Sequence, residues 1–146
     1  MTAFLAITDA IKAALQGAPA LAGVQVLRGR AVPVSAGGDQ AILVNVKGAR
    51  AVQLDINGDS MQWETTVAIT VFQRAAIGSD AEAAIDPLLA SVWATVVAIV
   101  PPAGVFGMTL DPSIQWDLDE ADQIVVSAAL SLRVTHYTTG AALAAA

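Results

Sequence analysis

Asn57-Gly58 separates two long stretches of alternating apolar and polar residues, 41–56 and 59–73. No other feature of the chain limits its fold so tightly. Asn-Gly suits the two-residue hairpin turn, whose central residues both need a positive φ. A turn there pairs Ile56 with Asp59, Leu54 with Met61 and Val52 with Trp63. Carried onward, the register pairs Val46 with Ile69 and Val44 with Val71. One face then carries Ile42, Val44, Val46, Val52, Leu54, Ile56, Met61, Trp63, Val67, Ile69 and Val71. The other carries Asn45, Lys47, Arg50, Gln53, Asp55, Gln62, Glu64, Thr66 and Thr70. A slip of one residue would exchange the two faces, so the pattern itself specifies register. Gly48 is a candidate bulge, beyond which the pairing would fall out of phase.

Each arm would reach roughly 50 Å at ~3.3 Å per residue. A domain of this size is roughly 35–40 Å across, from its expected radius of gyration. The tip around Asp55 to Met61 is therefore expected to project and to seek a partner. Leu54, Ile56 and Met61 would form the apolar centre of that contact, and Arg50, Gln53 and Asp55 its polar rim.

The flanking elements follow from periodicity and punctuation. Residues 2–16 read as a helix, with Thr2 as N-cap, Gly17 and Pro19 as stop signals, and Phe4, Ile7, Ile11, Ala14 and Leu15 on one face. Residues 24–28 read as a short strand, and Gly29 to Gly38 as a loop. Ser79-Asp80-Ala81-Glu82 has the form of a capping box. It opens a helix expected to reach about Val100, with Pro87 kinking it or delaying its regular start. Pro101 to Gly107 is a Gly- and Pro-rich linker. A strand is expected at Ile114–Leu118, then an acidic turn, then a long strand over 124–137 in which Ile124, Val126, Ala128, Leu130, Leu132 and Val134 share a face. Together these predict an α+β fold: a mixed or antiparallel sheet of about 4–5 strands with a long β-hairpin, and two helices packed on one face. Residues 1–137 form the expected single domain and 138–146 a flexible Ala-rich tail.

Composition narrows function by exclusion. The 146 residues are 55% hydrophobic and only 14% charged, with a formal net charge of −6. Alanine, about a fifth of the chain, accounts for part of that apolar count. Seven Lys and Arg against 13 Asp and Glu do not make a phosphate-neutralising grip on nucleic acid or a basic patch for anionic lipid. With no Cys, disulfides, thiolate zinc sites and thiol catalysis are excluded. No basic, apolar leader opens the sequence. The uncharged run between Asp86 and Asp111 is cut by Pro101-Pro102 before the ~20 residues a membrane helix needs.

No catalytic constellation is visible. His136 is the single His, and there is no G-x-S-x-G elbow to pair with it. It reads as a plain surface or edge histidine rather than a catalytic base. Asp55-Ile56-Asn57-Gly58-Asp59 mimics the start of a calcium loop, but Ser60 stands where its glycine must be and Thr66 where its glutamate must be. Asp117, Asp119, Glu120 and Asp122 fit no calcium loop either, and read as an acidic turn on a channel lumen or partner surface. No phosphate-cradling glycine loop occurs. Trp63, Trp93 and Trp116 lie on separate elements and read as core or interface anchors. No metal, cofactor or catalytic residue is assigned.

Four segments resemble the tail terminator family of long-tailed bacteriophages, the tail-completion or minor tail protein U-like proteins. They are the N-terminal helix Thr2–Gln16 leading into a short strand and loop; the apolar strand 41–49 ending Lys47-Gly48-Ala49; the long strand 62–72; and, after a capped helix containing Pro87, the alternating strand Ile124–Tyr137. The resemblance spans about residues 2–137. It implies a non-enzymatic virion protein that caps the tail tube as a hexameric ring, stops tube polymerisation and forms the head–tail joining surface. Implied partners are further copies of the chain, the tail tube protein and a head–tail connector or neck protein, with DNA passing through the channel unbound and no membrane involved. The implied location is the head-proximal end of the tail, after assembly in the host cytoplasm. Another neck or head-closure connector is the alternative reading, and a small α+β ligand-binding domain or enzyme a further one.

Overall fold

A computed structural model describes residues 1–29, 38–54, 60–120, 124–139 and 143–145, with the side chains of 52–54 and 145 left out. In chain order the elements are helix α1 (Ala3–Gly17), a 3-10 turn (Pro19–Leu21), strands β1 (Gln25–Arg28), β2 (Gln40–Leu54) and β3 (Ser60–Ala75), helix α2 (Ala81–Val97), and strands β4 (Val105–Asp119), β5 (Ile124–Thr139) and β6 (Ala144–Ala145). The sheet runs β1-β2-β3-β5-β4, with β6 pairing onto the end of β5. β1 is parallel to β2, and the β2/β3, β3/β5 and β4/β5 pairs are antiparallel. The α+β architecture expected from the sequence is the one found.

Both helices lie on one face of the sheet and close a single core. Ile7, Ile11 and Leu15 of α1 and Ile85, Leu88, Leu89, Val92 and Val96 of α2 meet Ile42, Val44, Val67, Ile69, Val71, Val126, Leu130, Leu132 and Val134 of the strands. Burying one such side chain fully stabilises the fold by roughly 1.5–3 kcal/mol. Thr2 caps α1, its Oγ1 accepting from the Leu5 amide.

The β2/β3 hairpin is present, but its register departs from regular pairing at two places. Leu54 pairs with Met61 as expected. Trp63 then faces Ala51 rather than Val52, Val44 faces Ile69 rather than Val71, and Val46 faces Val67 rather than Ile69. The causes are irregularities between Ala51 and Gln53 and between Val46 and Gly48. Each leaves one extra residue on β2, so the two cancel in parity and inner residues stay on the inner face. The sequence signalled the one beside Gly48, and nothing signalled the one at Val52.

The arms of the hairpin lie within the sheet, and the tip expected to project around Asp55 to Met61 falls largely outside the described residues. β3 pairs with β5 along its whole length, from Ser60–Thr139 to Ala75–Ile124. The hairpin is long because the whole sheet is long, and Met61 sits beside Thr138 in an interior strand. Asp55 to Asp59 lie outside the described residues.

Four further boundaries move. The α2 N-cap is Asp80, whose Oδ1 accepts from the Ala83 amide, while Ser79 Oγ donates to the Ala76 carbonyl. The helix is continuous through Pro87 and stops at Val97, three residues before Val100. The linker is shorter than expected, because β4 begins at Val105 and takes in Asp117 and Asp119, which are strand rather than turn. β5 runs on to Thr139, β6 returns to pair with it, and the Leu143 carbonyl accepts from the Ala3 amide. The first part of the expected tail is thus built into the sheet and tied to the start of α1.

Candidate assembly interface

The residues singled out in the sequence fall at three places. Arg50 is exposed on β2, opposite Glu64. Gln53 and Leu54 end that strand, and Met61 is half-buried beside them; Asp55 and Ile56 lie outside the described residues. Asp117, Asp119 and Glu120 are exposed at the far end of β4, and Asp122 lies outside the described residues. The hairpin set and the acidic set occupy different strands and different ends of the sheet. Among the described residues, no group of three or more His, Cys, Asp or Glu side chains is arranged to hold a metal. No described helix is long and apolar enough to cross a membrane.

His136 is not at the surface. It is only 1% exposed, because it follows Val134 in the inward alternation of β5. Its Nε2 lies 2.8 Å from Thr65 Oγ1, itself fully buried. The Phe4 ring stands edge-on to both the His136 and the Trp63 rings, at 5.2 and 5.3 Å. Trp63 Nε1 donates to Thr138 Oγ1 at 2.9 Å. Burial pushes the His136 pKa down, opposed in part by the Tyr137 backbone, though Nδ1 makes no full hydrogen bond. This is a buried polar cluster that joins α1 to β3 and β5. Neither Thr65 nor His136 is open to a substrate, so the pair does not form a nucleophile and base.

What the sequence did not single out is the free edge of β4. Trp116 is 52% and Leu118 44% exposed. Both point toward the helix face, opposite Ala128 and Val126, but the helices cover the central strands and leave this edge bare. The middle of β4 is broken by an irregularity between Leu110 and Ile114 that contains Pro112. Such interruptions block strand-to-strand association. The run from Ile114 to Asp119 is paired regularly to β5 and has no such block on its outer side.

The face away from the helices is mixed: Leu27, Leu43, Phe72 and Val125 lie on it, and several of its polar and aromatic residues pair with one another. Arg133 reaches Asp111 at 3.2 Å and Glu64 at 3.7 Å. Phe106 stacks on Tyr137 with 4.7 Å between ring centres, and Tyr137 Oη donates to Gln62. An open groove of about 750 Å³ between α1 and α2 is walled mostly by alanines, among them Ala10, Ala14, Ala90 and Ala94. Its Thr95 hydroxyl is already bonded to the Ser91 carbonyl, so it offers no set of converging polar groups for a small ligand.

No family model matches the chain, and no curated protein sequence matches it. Among solved structures, the sheath/tube terminator of the PVC extracellular contractile injection system, in its extended state, is similar in fold. The TM-score is 0.50 at 9% identity, and the match covers 100% of this chain and 61% of that one. This chain therefore spans about three-fifths of the length of that terminator. At this identity the likeness is one of fold alone.

Proposed function

We propose that this chain is a tail terminator, a virion structural protein that caps the tail tube as a ring. In that role it stops tube polymerisation and presents the surface that joins tail to head. The observation that carries the reading is the end-to-end match in fold to a sheath/tube terminator, with all of this chain included. The bare apolar edge of β4 supports it, since a strand edge carrying an exposed Trp and Leu is a ready site for association with another chain. Its partners are copies of itself, the last ring of tail tube protein and a head-side connector, with DNA passing through the central channel. The end of the hairpin, with Gln53, Leu54, Asp55, Ile56 and Met61, meets the tube or the neighbouring subunit. The protein acts at the head-proximal end of the tail after assembly in the host cytoplasm.

Electron microscopy of the purified chain, alone and mixed with its tail tubes, tests this. The expected result is a ring at one end of each tube and tubes that no longer lengthen. Bare tube ends that continue to grow would overturn it.

A further inference from the structure

The two edges of the sheet are complementary on both faces, and we infer that they meet: the β4 edge of one copy lies against the outer half of β2 in the next. The inference rests on the ring reading above and specifies its subunit contact. β1 covers only Ala41–Val44 of β2, and the described part of β2 beyond it has no strand on its outer side. There Val46 is 42% exposed, and Lys47, Gly48, Ala49 and Arg50 are exposed as well.

The match is set by how the pleat sorts these residues. Val46 pairs with Val67, and Ala49 with Thr65, so both sit on the helix face. Arg50 pairs with Glu64 and sits on the opposite face. On β4, Trp116 and Leu118 are on the helix face, while Gln115, Asp117 and Asp119 are on the other. When the two edges are placed side by side, small apolar residues meet Trp116 and Leu118 on the helix side, and Arg50 meets Asp117 on the other. Among the described residues, Lys47 and Arg50 make no ion pair, whereas Arg28, Arg74 and Arg133 each have one. Among the described residues, the two cations of the sheet without an ion pair are therefore on the edge that would face the acidic end of β4.

Strand direction agrees as well. β2 and β4 run antiparallel to each other within the sheet. A neighbour in the same orientation therefore brings its β2 antiparallel to this β4. Because the two patches are different surfaces, the contact is heterologous, so it repeats to further copies rather than stopping at a dimer, and it gives a ring where the rotation between copies closes. The lower part of β2 is taken by β1, so each copy must step along the strand direction relative to the last, as strands do in closed barrels.

The absence of Cys allows a clean test on the full chain. Two double variants, Arg50→Cys with Gln115→Cys and Arg50→Cys with Asp117→Cys, are oxidised under assembly conditions, with rings of the unmodified chain followed by electron microscopy. The expected result for at least one pair is a ladder of disulfide-linked oligomers that ends at the ring size and collapses on reduction. Asp117→Arg alone should abolish rings, and combining it with Arg50→Asp should restore them, with the circular dichroism of the monomer unchanged throughout. Rings in the unmodified chain with no ladder from either pair, and no rescue by the charge swap, would overturn the contact and leave the terminator reading standing. Absence of rings both in solution and on tubes would overturn both.

Discussion

His136 shows how one residue's environment follows from strand parity and how that environment becomes measurable. Its position in the inward alternation of β5 buries it beside Thr65 and Phe4, and burial lowers its pKa from 6.5. The imidazole is neutral in the fold, whereas in the unfolded chain it takes up a proton near its ordinary value. Between the folded and unfolded pKa values the unfolded state binds more protons, so stability rises with pH across that window. The His136 contribution is fully present above about pH 6.5, falls as pH drops below it, and levels off below the folded-state pKa. Thermal unfolding should therefore give a lower Tm at pH 5.5 than at pH 7.5, and His136→Gln should reduce the difference. An undiminished difference in the variant would place its origin elsewhere.

At the scale of elements, the local signals held and the details depended on competition between neighbours. The start of α2 offered two adjacent capping residues, Ser79 and Asp80. The hydroxyl went to the Ala76 carbonyl and the carboxylate to the Ala83 amide. A carboxylate near the helix N-terminus also meets the positive end of the helix dipole. Asp80→Ala should thus cost about 1 kcal/mol, as loss of an N-cap does, while Ser79→Ala should cost less. Urea unfolding of the two variants checks the order. The hairpin is a second case: the alternation of the two arms anticipated the pairing at Leu54–Met61, and two irregularities then shifted everything beyond it. A bulge leaves each flanking stretch regular, so only a glycine hinted at one of them.

For the whole molecule, the decisive features are the position of β5 and the two edges it leaves. β5 pairs with β3 on one side and β4 on the other, which makes β3 an interior strand and, among the described residues, leaves the outer half of β2 and β4 as edges. Leu54 closes the described end of β2, beyond the part of the sheet held by the main core. Leu54→Asp should therefore prevent capping of tail tubes while changing Tm little, read by electron microscopy and by thermal unfolding of the same preparation. A large fall in Tm would show that Leu54 is part of the core instead.

What could be read from the sequence was whatever repeats at short range. The period of α1, the alternation in β2, β3 and β5 and the two-helix α+β design all rest on residues that interact with near neighbours in the chain. The tertiary structure decided what depends on distant partners. It determined that β5 inserts between β3 and β4, that His136 is buried, and that Trp116 and Leu118 lie on an uncovered edge. Pairing across 49 residues of sequence (Ala75 with Ile124) to 79 (Ser60 with Thr139) leaves no local periodicity behind, because a strand has the same alternation at the edge of a sheet as at its centre. Hence Asp117 read in the sequence as one member of an acidic turn and Arg50 as the rim of a hairpin contact, and only the completed sheet puts them on opposite edges of the same open face.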